Sequence, residues 1–310
     1  MEIFINLLPF FITIVVTIAL RWLKLLNSTY KIAVSNLLFN LFVPALIIGV
    51  LSETKISFQD LWYVLISIIL WLLSTLLGKY IARSLRLPLR TEASIVLGFG
   101  SFAIGLIGYP IIEMNFSQDI FSQILLFDLL AAFPLMMIGS YFVATYYSNR
   151  IYKRGGKSSL LQIIKNIIIS PIMISTILGL VLAFIPFNKV MLIKITDYLA
   201  QVFSPLAGVL IGLTLQSTNF VQVYKLAMLS IVKMLFCGLI MAVLALLIFK
   251  EQALIKALIV VASTPFSVTG LMFSQQYHFS SNFYSKLLST SLILSLLFVP
   301  LLLMILNQVV

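Results

Sequence analysis

Chemistry has few places to reside in this sequence. Asp128, in Leu125-Leu-Phe-Asp128-Leu-Leu-Ala-Ala-Phe-Pro134, is the one carboxylate set deep inside an apolar run. An Asp at the centre of a lipid-crossing helix costs about 2.5–3.5 kcal/mol on insertion scales, so a partner or a water-filled cavity is expected beside it. Such a group could carry a coupling proton or hold a cation. Its structural alternative is to cap the exposed N–H groups of a broken helix.

Two clusters could supply those breaks. Gly98-Phe-Gly100-Ser101-Phe-Ala103-Ile-Gly105-Leu-Ile-Gly108-Tyr-Pro110 places four glycines and a proline in 13 residues. In a helix each Gly costs about 1 kcal/mol and Pro about 3. The second cluster is Ser263-Thr264-Pro265-Phe-Ser267-Val-Thr269-Gly270. A helix broken in lipid leaves half-helix N-termini with partial positive charge. Two such ends facing each other would bind an anion without a buried Arg or Lys. Close helix packing is the competing explanation for the glycines. Two clusters in corresponding spans weigh against it.

The remaining residue types exclude most other chemistry. One cysteine (Cys237) and one histidine (His278) cannot build a disulfide framework, a zinc site or a haem site. No Gly-rich phosphate loop, HExxH or GxSxG string occurs, and no acid pair or His–nucleophile pair is present to run an intramembrane enzyme. We expect neither an enzyme nor a bound metal or cofactor. His278 and Tyr277 read as interfacial loop residues.

The elements that must position these groups follow from composition. Of the 310 residues, 62% are hydrophobic and 9% charged, against about 45–50% and 25% in soluble domains. That leaves too little polar surface for a water-soluble fold and far too much Leu, Ile and Phe for a disordered chain. The net charge of +11 belongs to cytoplasmic loops rather than to nucleic-acid binding.

Runs of about 20 apolar residues read as ten spans. The first half holds Ile3–Leu20, Ile32–Leu51, Leu61–Leu77, Ala93–Ile112 and Ile120–Tyr146. The second holds Leu160–Ile185, Ile195–Leu215, Ala227–Phe249, Ala257–Phe273 and Leu287–Leu306. With loops alternating sides, all basic residues but Lys55, Lys189, Lys194, Lys250 and Lys256 fall on one side. That side is assigned to the cytoplasm and both termini to the outside of the cell membrane. The first span has no basic residue before it and is read as retained rather than cleaved. Lys233 lies about six residues inside the eighth span, where its stem could snorkel to the headgroups. Alternatively it could guide organic anions inward.

Asn40-Leu-Phe-Val-Pro44-Ala-Leu-Ile-Ile-Gly49 parallels Gln201-Val-Phe-Ser-Pro205-Leu-Ala-Gly208-Val-Leu. Residues 1–149 and 160–310 then read as two five-helix repeats around a basic linker, 150–159. An odd number of spans per repeat inverts one copy relative to the other, the plan of many secondary transporters. Asn36, Asn40, Asp197 and Gln201 sit on the paired second and seventh spans, as cavity residues or interhelical hydrogen-bond partners.

On these strings the chain resembles the auxin efflux carrier family of plant auxin exporters and bacterial dicarboxylate permeases. The resemblance rests on Asn40-Leu-Phe-Val-Pro44-Ala-Leu-Ile, Gly105-Leu-Ile-Gly108-Tyr-Pro110, Leu206-Ala-Gly208-Val-Leu-Ile-Gly212, and Thr264-Pro265 followed by Gln275-Gln276-Tyr277. It covers essentially the whole chain. The resemblance implies an all-α membrane fold like that of bile-acid/sodium symporters, with a scaffold domain and a transport domain whose broken helices 4 and 9 cross. It implies a central anion site near Gly100, Ser101, Ala103, Gly105, Pro265, Ser267, Thr269 and Asn40, with Asp128 beside it as the ion-coupling candidate. Where the family usually places an Asn after the first break, this chain has Ala103, and Ser267 and Thr269 are the polar groups at the second.

The expected function is secondary transport of small organic anions, malate-like dicarboxylates or auxin-like carboxylates, by alternating access. A proton or sodium ion would be the coupling partner, and a homodimer is left open. The alternative is a cation/proton antiporter on the same fold. A membrane sensor without transport is a more distant competitor. On a background lacking Cys237, a cysteine at Ser158 should label only from the cytoplasm and one at Ser57 only from outside. Labelling of both from one side would overturn the ten-span arrangement.

Overall fold

The computed structural model describes residues 2–27, 29–54, 57–152, 160–186, 188–215 and 220–309. From residue 153 onward the expected linker lies outside the described residues. Every regular element among those described is helical. In chain order they begin with α1 (Glu2–Trp22), α2 (Tyr30–Leu37), α3 (Val43–Glu53), α4 (Trp62–Ser84), α5 (Leu89–Phe99), α6 (Tyr109–Asn115), α7 (Gln118–Leu126) and α8 (Phe133–Tyr152). They continue with α9 (Leu160–Ile169), α10 (Pro171–Phe184), α11 (Val190–Ala200), α12 (Phe203–Thr214), α13 (Phe220–Ile248), α14 (Gln252–Ala262), α15 (Val268–Gln276) and α16 (Ser281–Val309).

Among the described residues, seven helical stretches are long and apolar enough to cross a membrane, and nine if each of two bent pairs is counted as one span. The bent pairs are Leu89–Phe99 with Ile104–Asn115, at 48°, and Leu160–Ile169 with Pro171–Phe184, at 57°. The ninth expected span divides into α14 and α15, and neither half is long enough alone. Exposed side chains such as Leu72, Phe142, Leu239, Leu247 and Leu297 give these helices the apolar exterior that lipid requires.

Three prolines explain where the helices widen. Pro has no N–H, and its ring collides with the carbonyl four residues back. At Pro44, Pro110 and Pro134 that carbonyl belongs to Asn40, Leu106 and Leu130. In each case the chain answers with a π turn just before the proline, over Leu38–Phe42, Ile104–Gly108 and Phe127–Ala132. The residue ahead of each proline then reaches five positions back. Val43 donates to Leu38 O, Tyr109 to Ile104 O and Phe133 to Asp128 O. Such insertions recur at functional sites because they aim side chains off the ordinary helical face.

The helices pack mainly within two groups. α1, α2, α3, α10, α11 and α12 form one bundle, while α4 to α8 and α13 to α16 form the other. Within the first bundle, Gly208 and Gly212 on α12 face Thr13 and Thr17 on α1, with no room between them for a Cβ. This spacing lets two backbones approach closely in lipid. Both threonines turn their hydroxyls onto their own helix, Thr13 to Phe10 O and Thr17 to Thr13 O, each at 2.7 Å. Arg21 then caps the far end of α12, donating to Gly212 O at 2.7 Å and Leu215 O at 2.8 Å. Gly208→Leu should push α1 from α12 and cost about 1–3 kcal/mol by overpacking. A lower melting temperature of the purified protein in detergent would register this.

Candidate functional site

The two helix breaks lie against each other. After α5 the chain is irregular until Ile104, and after α14 until Val268. Ala103 N–H donates to Pro265 O at 3.1 Å, and Ser267 N–H donates to Ser101 Oγ at 3.2 Å. Tyr284 Oη, on α16, donates to Ser267 O at 2.9 Å and lies 3.1 Å from Ser101 Oγ. Phe102 N–H points to Met136 Sδ at 3.4 Å. These polar groups freed by unwinding thus find partners inside the protein, as an apolar surrounding demands.

Lys233 completes this network. It stands 13 residues into α13, about 20 Å along the axis, and its side chain is fully buried. The expectation that its stem snorkels outward is not met, because the lysine turns inward. Its Nζ donates to Ser101 O at 2.5 Å, Pro265 O at 3.0 Å and Thr264 O at 3.3 Å. It also lies 4.5 Å from the Phe102 ring centroid and 4.9 Å from that of Phe266. Its position inside an apolar run was visible in the sequence. Its partners, more than 30 positions away in the chain, were not.

Beside the crossing is a cavity of about 340 Å³. Ser35, Phe39 and Val43 from the second span and Ile172 from α10 form one wall. The opposite bundle supplies Phe102, Ala103, Gly105, Tyr109, Asp128, Phe133, Met136, Phe266, Ser267 and Thr269, among others. All three π turns therefore contribute: Phe39 from the first, Gly105 from the second, Asp128 from the third. Gly105 keeps the wall open, since a Cβ there would meet nothing nearer than Tyr109 at 3.8 Å. Asp128 Oδ2 accepts from Tyr109 Oη at 2.7 Å, and both residues are buried. No Lys, Arg or His lines this cavity among the described residues. Ser267 caps α15, its Oγ accepting from Thr269 N–H at 3.3 Å.

Of the residues expected at the site, Ala103, Gly105, Ser267, Thr269 and Asp128 line the cavity together. Gly100, Ser101 and Pro265 belong to the crossing behind it. Asn40 is set apart: it is exposed and absent from the wall. The cavity face of the second span runs Ser35, Phe39, Val43, and Asn40 is turned one position away from it. Asn36 is exposed as well. Asp197 and Gln201 line a separate polar cavity of about 350 Å³ with Glu53, Glu113 and Gln118. The Tyr109 hydroxyl was missed at the sequence level, although it stands inside the Gly108-Tyr109-Pro110 string. The signal available for it was the proline, which widens the helix one turn earlier.

Residues 3–303 match the sequence profile of the membrane transport protein family, which is the auxin efflux carrier family. The chain belongs to that family. No curated protein matches it. As a membrane transporter it has its broken helices, its cavity and its buried acid at one place, and the cavity lies between the two bundles. In this transporter Pro134 holds the π turn that aims Asp128. Pro134→Ala restores an N–H able to bond Leu130 O, and removes a residue costing about 3 kcal/mol in a helix. We expect the variant to melt no lower than the parent and yet to lose transport. Parental flux in proteoliposomes would show that the π turn is dispensable.

Proposed function

We propose that this transporter is a secondary carrier of a small organic acid with a mainly apolar body, moved by alternating access through the cavity between its bundles. The observation that carries this reading is the wall of that cavity. Phe39, Phe102, Phe133, Phe266, Met136 and Met272 offer an apolar and aromatic lining, with Ser267 and Thr269 as a small polar edge. That edge is the N-terminus of α15, where partial positive charge favours a carboxylate. An auxin-like monocarboxylate fits this division better than a malate-like dicarboxylate, which would bring a second charge into a wall without a cation. About 340 Å³ falls within the range of about 300–1,000 Å³ usual for small-ligand sites.

The same reading takes α14 and α15 as one interrupted span, which raises the count from nine to ten. The two halves are then five-span repeats of opposite orientation, with the breaks in spans 4 and 9. The meeting of those breaks through Ala103 and Pro265 supports it. The basic linker would face the cytoplasm of a cell-membrane protein.

Asp128 serves as the coupling group in this scheme. Protonated, it admits the substrate carboxylate without repulsion. Ionised, it is held by the Tyr109 hydroxyl. One observation favours a second reading, cation/proton antiport: Asp128 is the single charged residue lining the cavity among those described. Thermal-shift titration with aromatic monocarboxylates, dicarboxylates and inorganic cations separates the two. A ligand at 100 times Kd stabilises by about 2.7 kcal/mol. Asp128→Asn should abolish accumulation driven by a pH gradient and retain substrate exchange, both measured in proteoliposomes. Undiminished gradient-driven uptake would remove Asp128 from the coupling step.

A further inference from the structure

Lys233 is buried at the crossing, against the rings of Phe102 and Phe266 that line the cavity, and it makes no hydrogen bond to Asp128 or Tyr109. An ammonium group has three N–H donors and no acceptor. Here they meet three backbone carbonyls, Ser101 O, Thr264 O and Pro265 O. These follow the C-terminal ends of α5 and α14, where the helix dipole concentrates negative partial charge. Two aromatic faces, Phe102 and Phe266, close the remaining approach. All the ligands are oxygens or π faces, the chemistry that also suits an alkali cation.

In transporters with discontinuous helices, unwound carbonyls and half-helix C-termini form the site of a coupling Na⁺ or H⁺. The carbonyls from both breaks already converge here on one charged group of the chain itself. We propose that Lys233 is a built-in cation: its ammonium occupies, between the carbonyls of the two breaks, the position of a coupling alkali ion, so this transporter needs no sodium or potassium there. By neutralising the C-terminal ends of α5 and α14, it also leaves the positive N-terminal end of α15 as the dominant dipole toward the cavity.

The inference deepens the transport reading but depends on it only for flux. Its main test is the melting temperature of the purified protein, which needs no substrate. The parent should melt alike in sodium, potassium and choline chloride. Lys233→Ala removes the ammonium and its stem and leaves the three carbonyls facing a void. It should melt lower in choline chloride and recover by about 3–6 °C, saturably, with sodium or with methyl- or ethylammonium chloride. Tetramethylammonium, which has no N–H, should not restore it. Lys233→Met keeps the bulk without the charge and should melt low in every salt. Full stability of Lys233→Met, or failure of every cation to restore Lys233→Ala, would overturn the proposal and leave Lys233 as a packing residue.

Should neither variant yield folded protein, the parent still decides. In proteoliposomes it should keep its transport rate when choline replaces all sodium and potassium. An alkali-cation requirement, or a sodium-dependent rise in its melting temperature, would overturn the proposal. Absence of flux with every substrate tried would count against the transport reading alone, while the melting measurements would still judge Lys233.

Discussion

Backbone polar groups have no water to turn to inside a bilayer, and this protein breaks two helices at one point there. Each unsatisfied group in lipid costs several kcal/mol, so two adjacent breaks are tenable only if they satisfy one another. They do so through Ala103 N–H on Pro265 O and Ser267 N–H on Ser101 Oγ. Tyr284 and Lys233 reach in from α16 and α13 to donate to Ser267 O, Ser101 O and Pro265 O. Everything else at the site follows from this mutual satisfaction. The breaks hold Ala103 and Ser267 at the cavity edge, and α13 is fixed behind them by its own lysine.

Much of this was legible in the chain. The apolar runs locate the helices, because lipid imposes a length as well as a composition. The Gly/Pro clusters at 98–110 and 263–270 locate the breaks, because those residues are costly in a helix and remain only where another element compensates. Asp128 is found by its isolation. What was not legible depends on angle rather than position. Asn40 was expected at the site and is exposed, since the wall of the second span follows Ser35, Phe39 and Val43. The partners of Lys233 could not be read, because a buried lysine and a snorkelling lysine look the same in a one-dimensional pattern.

Three prolines impose one common rule on the cavity. Pro44, Pro110 and Pro134 each deny an ordinary helical bond, and each is preceded by a π turn that supplies a lining residue. One lies in the first bundle and two in the second, so the wall on both sides is set by the same backbone defect. A polar site built this way needs few polar side chains. That agrees with a cavity whose lining is dominated by Phe, Met and Leu. Against such a lining the Asp128–Tyr109 pair is the most strongly polar feature, and it joins the third π turn to the helix that follows the second.

Lys233 and Asp128 both belong to the bundle formed by α4 to α8 and α13 to α16. With Asp128 ionised, their charges cancel. With Asp128 protonated, this pair keeps one positive elementary charge. A charge carried fully across a membrane exchanges about 2.3 kcal/mol with each 100 mV of potential. In any displacement of this bundle along the membrane normal, the pair would then add to the voltage sensitivity when Asp128 is protonated and add nearly nothing when it is ionised. In the proposed scheme where Asp128 carries the coupling proton, the lysine that closes the helix break would thereby let the membrane potential act on this pair in one half of the cycle and spare it in the other.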